Sequence, residues 1–86
     1  SKDTMATKVE RWFLRAKADK KHTQFHLAVN PHLAEAISDN GTSRVQRMMK
    51  IHGFQINLVR DATIPLQEYK VYNAVTNDEI TDDYRV

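Results

Sequence analysis

The residues of this chain whose types and spacing suggest chemistry are cations at the start of a predicted helix. Arg44, Arg47 and Lys50 recur every three residues, which places them along one side of that helix. Ser43 comes directly before them and can cap the helix, whose free amides attract anions. This stripe predicts contacts with phosphates. The simpler alternative is that it is only the solvated side of a helix.

Charge is divided along the chain, and Lys20 and Lys21 belong to its basic part. Residues 1–60 hold eleven Lys and Arg against five Asp and Glu, whereas residues 61–86 hold two against six. A basic face beside an acidic segment indicates an anionic partner, although clustered charge is also typical of an ordinary solvated face. Lys20 and Lys21 extend the predicted phosphate-binding patch if the first strand passes near the stripe.

Other chemistry finds little support in the sequence. The four histidines have no spacing typical of metal ligands, and they are His22, His26, His32 and His52. No Ser-His-Asp arrangement, Gly-rich phosphate loop or H-E-x-x-H string occurs. We therefore expect no metal, no cofactor and no catalytic residue in this chain.

Length and composition restrict the class of protein. A chain of 86 residues makes one domain at most and is too small for a complete enzyme with a deep cleft. It contains no cysteine, and its longest apolar runs are too short to span a bilayer. These features predict a cytoplasmic protein. Ser1, where an initiator Met would be expected, suggests a trimmed tag or a piece of a longer protein.

Apolar periodicity predicts the elements that must position these side chains. Val9, Trp12, Phe13 and Ala16 form the apolar stripe of a helix within residues 7–18, and Lys8, Arg11 and Arg15 lie mostly off that stripe. Two further helices have caps at Asn30-Pro31 and at Thr42 or Ser43, and they end near Asn40-Gly41 and at Gly53. Alternation predicts three strands, at residues 23–30, 54–61 and 68–75.

Three short strands need their apolar faces covered, so the predicted fold is an α+β two-layer sandwich. Its three-stranded sheet is covered by helices in the order α-β-α-α-β-β. We expect residues 1–6 to be a disordered N-terminal segment, residues 7–75 to form a single small domain, and residues 76–86 to be a frayed acidic tail. The alternative for the tail is that Ile80 and Tyr84 dock on the sheet.

The segment with strand, helix, turn, helix and strand resembles the minimal unit of KH domains. In those domains a GXXG loop between the helices clamps a nucleic-acid backbone. The corresponding loop here reads "SDNGTSR" and has a single Gly. The arrangement therefore favours a KH-like core more than a KH-like function.

Three stretches together resemble the C-terminal small domain of the ribonuclease E/G family: "FHLAVNPHLAEAI", "RVQRMMKIHGFQINLVRD" and "IPLQEYKVYN". The resemblance covers residues 8–75, with anchors at Pro31, Gly53, Pro65 and Tyr69. It implies a parent enzyme that cleaves single-stranded RNA with carboxylate-held magnesium in a separate subdomain. None of the catalytic parts lies in these residues, so the resemblance implies an accessory domain that is inactive by itself.

Three hypotheses follow from the sequence. The first is an accessory domain of a ribonuclease E/G-like endoribonuclease that contacts RNA and the other domains or subunits of its parent. The second is a stand-alone KH-like nucleic-acid-binding module that uses Arg44, Arg47 and Lys50. The third is a protein-interaction domain that offers the edge strand at residues 68–75 to a partner.

Overall fold

The sheet of this protein has three strands, with the first in the chain at its centre. The structure is a computed structural model, and it describes residues 2–38 and 43–85. Its helices are α1 (Lys2–Asp19), α2 (Pro31–Ile37) and α3 (Arg44–His52), and its strands are β1 (Gln24–Val29), β2 (Gln55–Arg60) and β3 (Tyr69–Asn73). A short 3-10 helix spans Thr81–Asp83. The predicted fold class, an α+β two-layer sandwich with this order of elements, is confirmed.

The strand order is β2-β1-β3, with β1 parallel to β2 and antiparallel to β3. Alternation along β1 sends Phe25, Leu27 and Val29 to the face that the helices cover, and all three are buried. Gln24 and His26 lie on the opposite face, which is more open to solvent. The core thus lies between one face of the sheet and the helical layer.

Local capping starts and ends the helices where the sequence predicts. The Asn30 side chain accepts a hydrogen bond from the His32 N–H at 2.9 Å, and Pro31 follows as the first helical residue. Ser43 accepts from the Gln46 N–H at 3.2 Å at the start of α3. Gly53 ends α3 with a φ of 73°, a conformation that favours glycine. The predicted helix stop at Asn40-Gly41 and the alternative cap Thr42 lie outside the described residues.

Helix α1 begins earlier than the sequence periodicity predicted. It starts at Lys2, so the prediction of a disordered segment is wrong for residues 2–6. Met5 lies four residues before Val9, which adds one more turn to the apolar stripe, and both Met5 and Ala6 are buried. Burial of these two side chains stabilises the helical conformation of the polar residues next to them.

The C-terminal segment also differs from the predicted frayed tail, because it pairs with the outer edge of β3. The Asn73 N–H donates to the Asp78 carbonyl at 2.9 Å, and the Ile80 N–H donates to the Val71 carbonyl at 2.8 Å. These bonds occupy part of the strand edge at residues 68–75. The third hypothesis predicted that this edge binds a protein partner. The alternative, in which Ile80 and Tyr84 dock, is the one the structure shows, since both side chains are buried.

The same segment is joined to α1. The Trp12 indole N–H donates to the Thr81 carbonyl at 2.7 Å, and the Tyr84 hydroxyl donates to the Asp19 carboxylate. The Trp12 and Tyr84 rings meet edge to face with centroids 5.2 Å apart. Helix α1, the sheet and the C-terminal segment therefore share one core. None of the helices within the described residues is long and apolar enough to cross a membrane.

The contact between Tyr84 and Asp19 predicts a loss of stability at alkaline pH. Burial, and next the hydrogen bond to Asp19, raise the pKa of Tyr84 from 10.0 to about 12. Its stabilising contribution is complete below pH 10.0, the ordinary pKa that applies in the unfolded chain, and is lost as the pH rises to about 12. Urea unfolding across this pH range is expected to show that the free energy of unfolding falls less for Tyr84→Phe than for the parent chain. An equal fall in both proteins would contradict this account.

Candidate nucleic-acid interface

The three cations of the predicted stripe on α3 do not form one free surface, because Arg44 contacts helix α1. The Arg44 guanidinium lies 3.7 Å from the Glu10 carboxylate of α1, and both side chains are about one third exposed. Its Nη1 atom is buried. A cation that is already neutralised and partly covered is a poor phosphate contact. Arg44 therefore holds α3 against α1.

Ser43 is likewise used inside the protein. It is 8% exposed, its hydroxyl caps Gln46, and the same oxygen lies 3.5 Å from the Ile37 carbonyl. The sequence correctly predicted the cap. Because Ser43 is buried and its hydroxyl makes these contacts, the side chain is poorly accessible to a ligand.

The remaining predicted cations lie near one end of the helical layer. Helices α1 and α3 run parallel, because Glu10 meets Arg44 and the Lys17 ammonium lies 3.3 Å from the Ile51 carbonyl. Lys50 is exposed in the last turn of α3. The predicted residues after α1 are also exposed: Lys20, which has a φ of 61°, and Lys21, which forms an ion pair of 3.8 Å with Asp19. Arg47 is exposed further back along α3.

A better-formed cationic site lies on another side of α1. Three cations of α1 at i, i+3 and i+7 share one face of the helix and border a groove of about 320 Å³ between α1 and β3. A fourth cation comes from the C-terminal segment. We call this the basic groove, defined by Lys8, Arg11, Arg15 and Arg85. Glu68 is the single carboxylate among the described residues that line it.

Two of these cations are held in place, and two project freely. Arg15 donates to the Tyr84 carbonyl at 3.4 Å. Arg85 lies 3.5 Å from Asp82 and 5.5 Å from the centre of the Tyr69 ring, a cation–π contact. Lys8 and Arg11 are exposed, and neither has an ion pair with the described side chains. Because Arg85 is paired with Asp82, the positive charge of the groove comes mainly from Arg15, which is held in place, and from Lys8 and Arg11, which can move to a ligand.

Tyr69 adds a hydrogen-bonding group to the basic groove. Burial raises the pKa of Tyr69, and the opposing influences of Arg85 and Arg15 do not cancel that effect. The hydroxyl is therefore neutral at physiological pH and can donate a hydrogen bond. Guanidinium, ammonium and hydroxyl donors around one groove are the groups that bind phosphate oxygens.

Sequence reasoning missed the basic groove for two reasons. It treated Lys8, Arg11 and Arg15 only as residues off the apolar stripe of α1, although their spacing already places them on one helix face. Arg85 lies 70 positions after Arg15, in a segment predicted to be frayed. Nothing in the local sequence connects that segment with α1.

The histidines lie in different parts of the described structure. His26 meets Asn57 at 3.2 Å on the open face of the sheet, and His22 meets Asn73 at 2.9 Å. Among residues 2–38 and 43–85, no group of three or more His, Asp or Glu side chains is placed to hold a metal ion.

Comparisons of the chain with family models, curated proteins and solved structures give no match. The function of the chain is therefore inferred from its own residues.

Proposed function

We propose that this chain is a non-catalytic, RNA-associated small domain of a ribonuclease E/G-like endoribonuclease, working in the cytoplasm with other domains or subunits of a parent protein. Support for the family comes from the resemblance of residues 8–75 and its anchors, Pro31, Gly53, Pro65 and Tyr69. Support for RNA contact comes from one observation, the convergence of four cations around the basic groove.

Phosphate contact through the basic groove has a clear physical basis. Its cations come from two distant parts of the chain, so folding itself brings their charges together before any ligand binds. Each phosphate that a cation neutralises releases condensed counterions, which favours binding and makes it depend on salt. Proteins that bind single-stranded nucleic acid use positively charged grooves that follow its backbone. Single-stranded RNA is therefore the proposed ligand.

A stand-alone KH-like module that uses the α3 stripe is the second candidate. Arg47 and Lys50 are exposed and support it, whereas Arg44 is engaged by Glu10. The two candidates place RNA on different sides of α1. Substitutions in the basic groove and on α3 can therefore distinguish the two candidates.

The test is titration of fluorescein-labelled single-stranded RNA, about ten nucleotides long, at several salt concentrations. We expect the logarithm of the binding constant to fall linearly with the logarithm of salt concentration. Lys8→Ala is expected to weaken binding and to reduce this slope by about 0.7, the value for one phosphate contact on a single strand. Lys8 is chosen because it is exposed and has no ion pair within the described residues.

The matched control is Lys70→Ala, which removes an exposed lysine from the opposite face of the sheet. It is expected to leave the binding constant and the slope unchanged. Loss of binding in Arg47→Ala and Lys50→Ala, but not in Lys8→Ala, would place RNA on α3 instead. Absence of salt-dependent RNA binding would refute both candidates. Separately, an upstream reading frame that lacks a nuclease subdomain would contradict the proposed parent enzyme.

A further inference from the structure

A second groove lies on the other side of α1, between α1 and α3. It has a volume of about 280 Å³, and Met48, which is 5% exposed, lies within it. Leu14 of α1 and Ile51 of α3 also line it. We call it the apolar groove, defined by Leu14, Met48 and Ile51.

The exposure of its two outer side chains sets this groove apart from the rest of the surface. Leu14 is 58% exposed and Ile51 is 63% exposed, although most large apolar side chains of the described chain are buried. They come from different helices and line the same groove. A contiguous apolar patch of this kind is typical of a binding surface, whereas single scattered residues are not.

The charges around the apolar groove indicate what binds there. Arg11 lines it from α1 and Arg47 from α3, and both are exposed. Glu10 is the single carboxylate among the described residues that line it, and Arg44 already neutralises it. The surroundings of the exposed apolar pair are therefore positive.

The remaining titratable groups do not reverse this charge. His52 lines the groove, and burial, together with the charge of Lys17, lowers the pKa of His52, so its ring is neutral at physiological pH. The Lys17 ammonium contacts the Ile51 carbonyl. The groove thus pairs an apolar centre with cationic flanks.

We infer that the apolar groove, with Arg11 and Arg47 beside it, binds an amphipathic helix of a partner protein whose apolar stripe is flanked by acidic residues. Two parallel helices with a furrow between them accept a third helix through side-chain packing. A strand would instead need unpaired backbone groups, and the described residues that line this groove all lie in two helices. RNA bases favour aromatic stacking platforms, whereas the centre of this groove is aliphatic and thioether.

The inference goes beyond the proposed RNA contact and does not depend on it. Arg11 lines both grooves, so it cannot distinguish them. Leu14, Arg47 and Ile51 line the apolar groove alone, and Lys8 lines the basic groove alone. Variants at these positions therefore test the two sites separately.

The experiment uses the full chain and a fluorescein-labelled peptide of about 20 residues, long enough to form a helix. Its leucines are spaced at i, i+3, i+4 and i+7 with Glu on both flanks. One control peptide has the same composition with the leucines scattered around the helix, and another has Lys in place of Glu. We expect the Glu-flanked peptide to bind at least about tenfold more tightly than either control, as expected when apolar anchors and charges both match.

Variants of the chain then locate the site. Ile51→Asp is expected to weaken binding by at least about tenfold, since it replaces an apolar side chain of the groove with a charge. Because Ile51 is mostly exposed, this variant should fold, which circular dichroism checks. Arg47→Glu is expected to weaken binding of the Glu-flanked peptide and to strengthen that of the Lys-flanked peptide. Lys8→Glu is expected to change peptide binding much less.

Three outcomes would overturn the inference. The first is equal binding of the Glu-flanked and scattered peptides, or no binding of either. The second is self-association of the chain, seen by sedimentation velocity, that Ile51→Asp abolishes, because a second copy would then be the occupant. The third is single-stranded RNA binding that Ile51→Asp weakens as strongly as it weakens peptide binding. The first two leave the RNA proposal intact, and loss of RNA binding in Lys8→Ala leaves this inference intact.

Discussion

Trp12→Ala is expected to lower the free energy of unfolding by about 3–5 kcal/mol, the usual cost of removing a large aromatic side chain from a core. Trp12 is fully buried and meets the rings of Phe13, Phe25 and Tyr84 edge to face. Its indole N–H also holds the Thr81 carbonyl, which loses its described partner in the variant. The substitution therefore removes contacts with α1, the sheet and the C-terminal segment at once.

Urea unfolding followed by far-UV circular dichroism measures this loss. Fluorescence is unsuitable for the comparison because Trp12 is the single tryptophan of the chain. The matched control is Leu14→Ala, two residues away on the same helix, where the side chain is 58% exposed. We expect the control to cost less than about 1 kcal/mol, as is usual for exposed positions. Similar costs for the two variants would show that Trp12 does not occupy the described core.

Removal of residues 79–86 is expected to cost about 3–6 kcal/mol, because full burial of each large apolar side chain contributes roughly 1.5–3 kcal/mol. Ile80 and Tyr84 are the two such side chains that the truncation removes from the core. The hydrogen bonds from Trp12 to the Thr81 carbonyl and from the Ile80 N–H to the Val71 carbonyl disappear with them. A loss of this size is a large share of the stability of a small domain.

The control for this truncation is a chain that ends at Tyr84. It keeps the docked residues and removes Arg85 and Val86. Because the Arg85 side chain is exposed, the free energy of unfolding is expected to change by less than about 1 kcal/mol. Thermal unfolding of both truncated chains, followed by circular dichroism, provides the comparison. The longer truncation also uncovers the β3 edge, so concentration-dependent aggregation is expected. If it unfolded at the temperature of the parent chain, the docking of this segment would contribute no stability.

Periodicity and capping were enough to predict the strands, the fold class and the helices apart from the start of α1. Phe25, Leu27 and Val29 alternate along one strand, and Asn30 and Gly53 mark helix ends through chemistry that is local in sequence. The C-terminal segment has no such local pattern. Its structure depends on contacts of Thr81 and Tyr84 with α1, 65 to 69 positions away, and single-sequence periodicity carries no information about such contacts.

For the candidate sites too, the sequence predicted features that are local in the chain but not contacts between distant residues. The sequence placed Arg44, Arg47 and Lys50 on one side of a helix, but it could not show that Arg44 faces Glu10 of another helix. It also placed Lys8, Arg11 and Arg15 off an apolar stripe, without indicating that Arg85 lies beside them. Helix faces follow from spacing alone. Which elements face one another depends on tertiary packing.

The bond between Trp12 and Thr81 has a consequence for the chain during synthesis. Its two residues are 69 positions apart, so the indole cannot find its acceptor until nearly all of the described segment has left the ribosome. Until then the apolar side of α1 lacks part of its cover and can associate with other apolar surfaces. Contacts between such distant positions also slow folding, because the intervening chain must be closed first. In a nascent chain this side of α1 therefore stays partly uncovered until Thr81 has emerged.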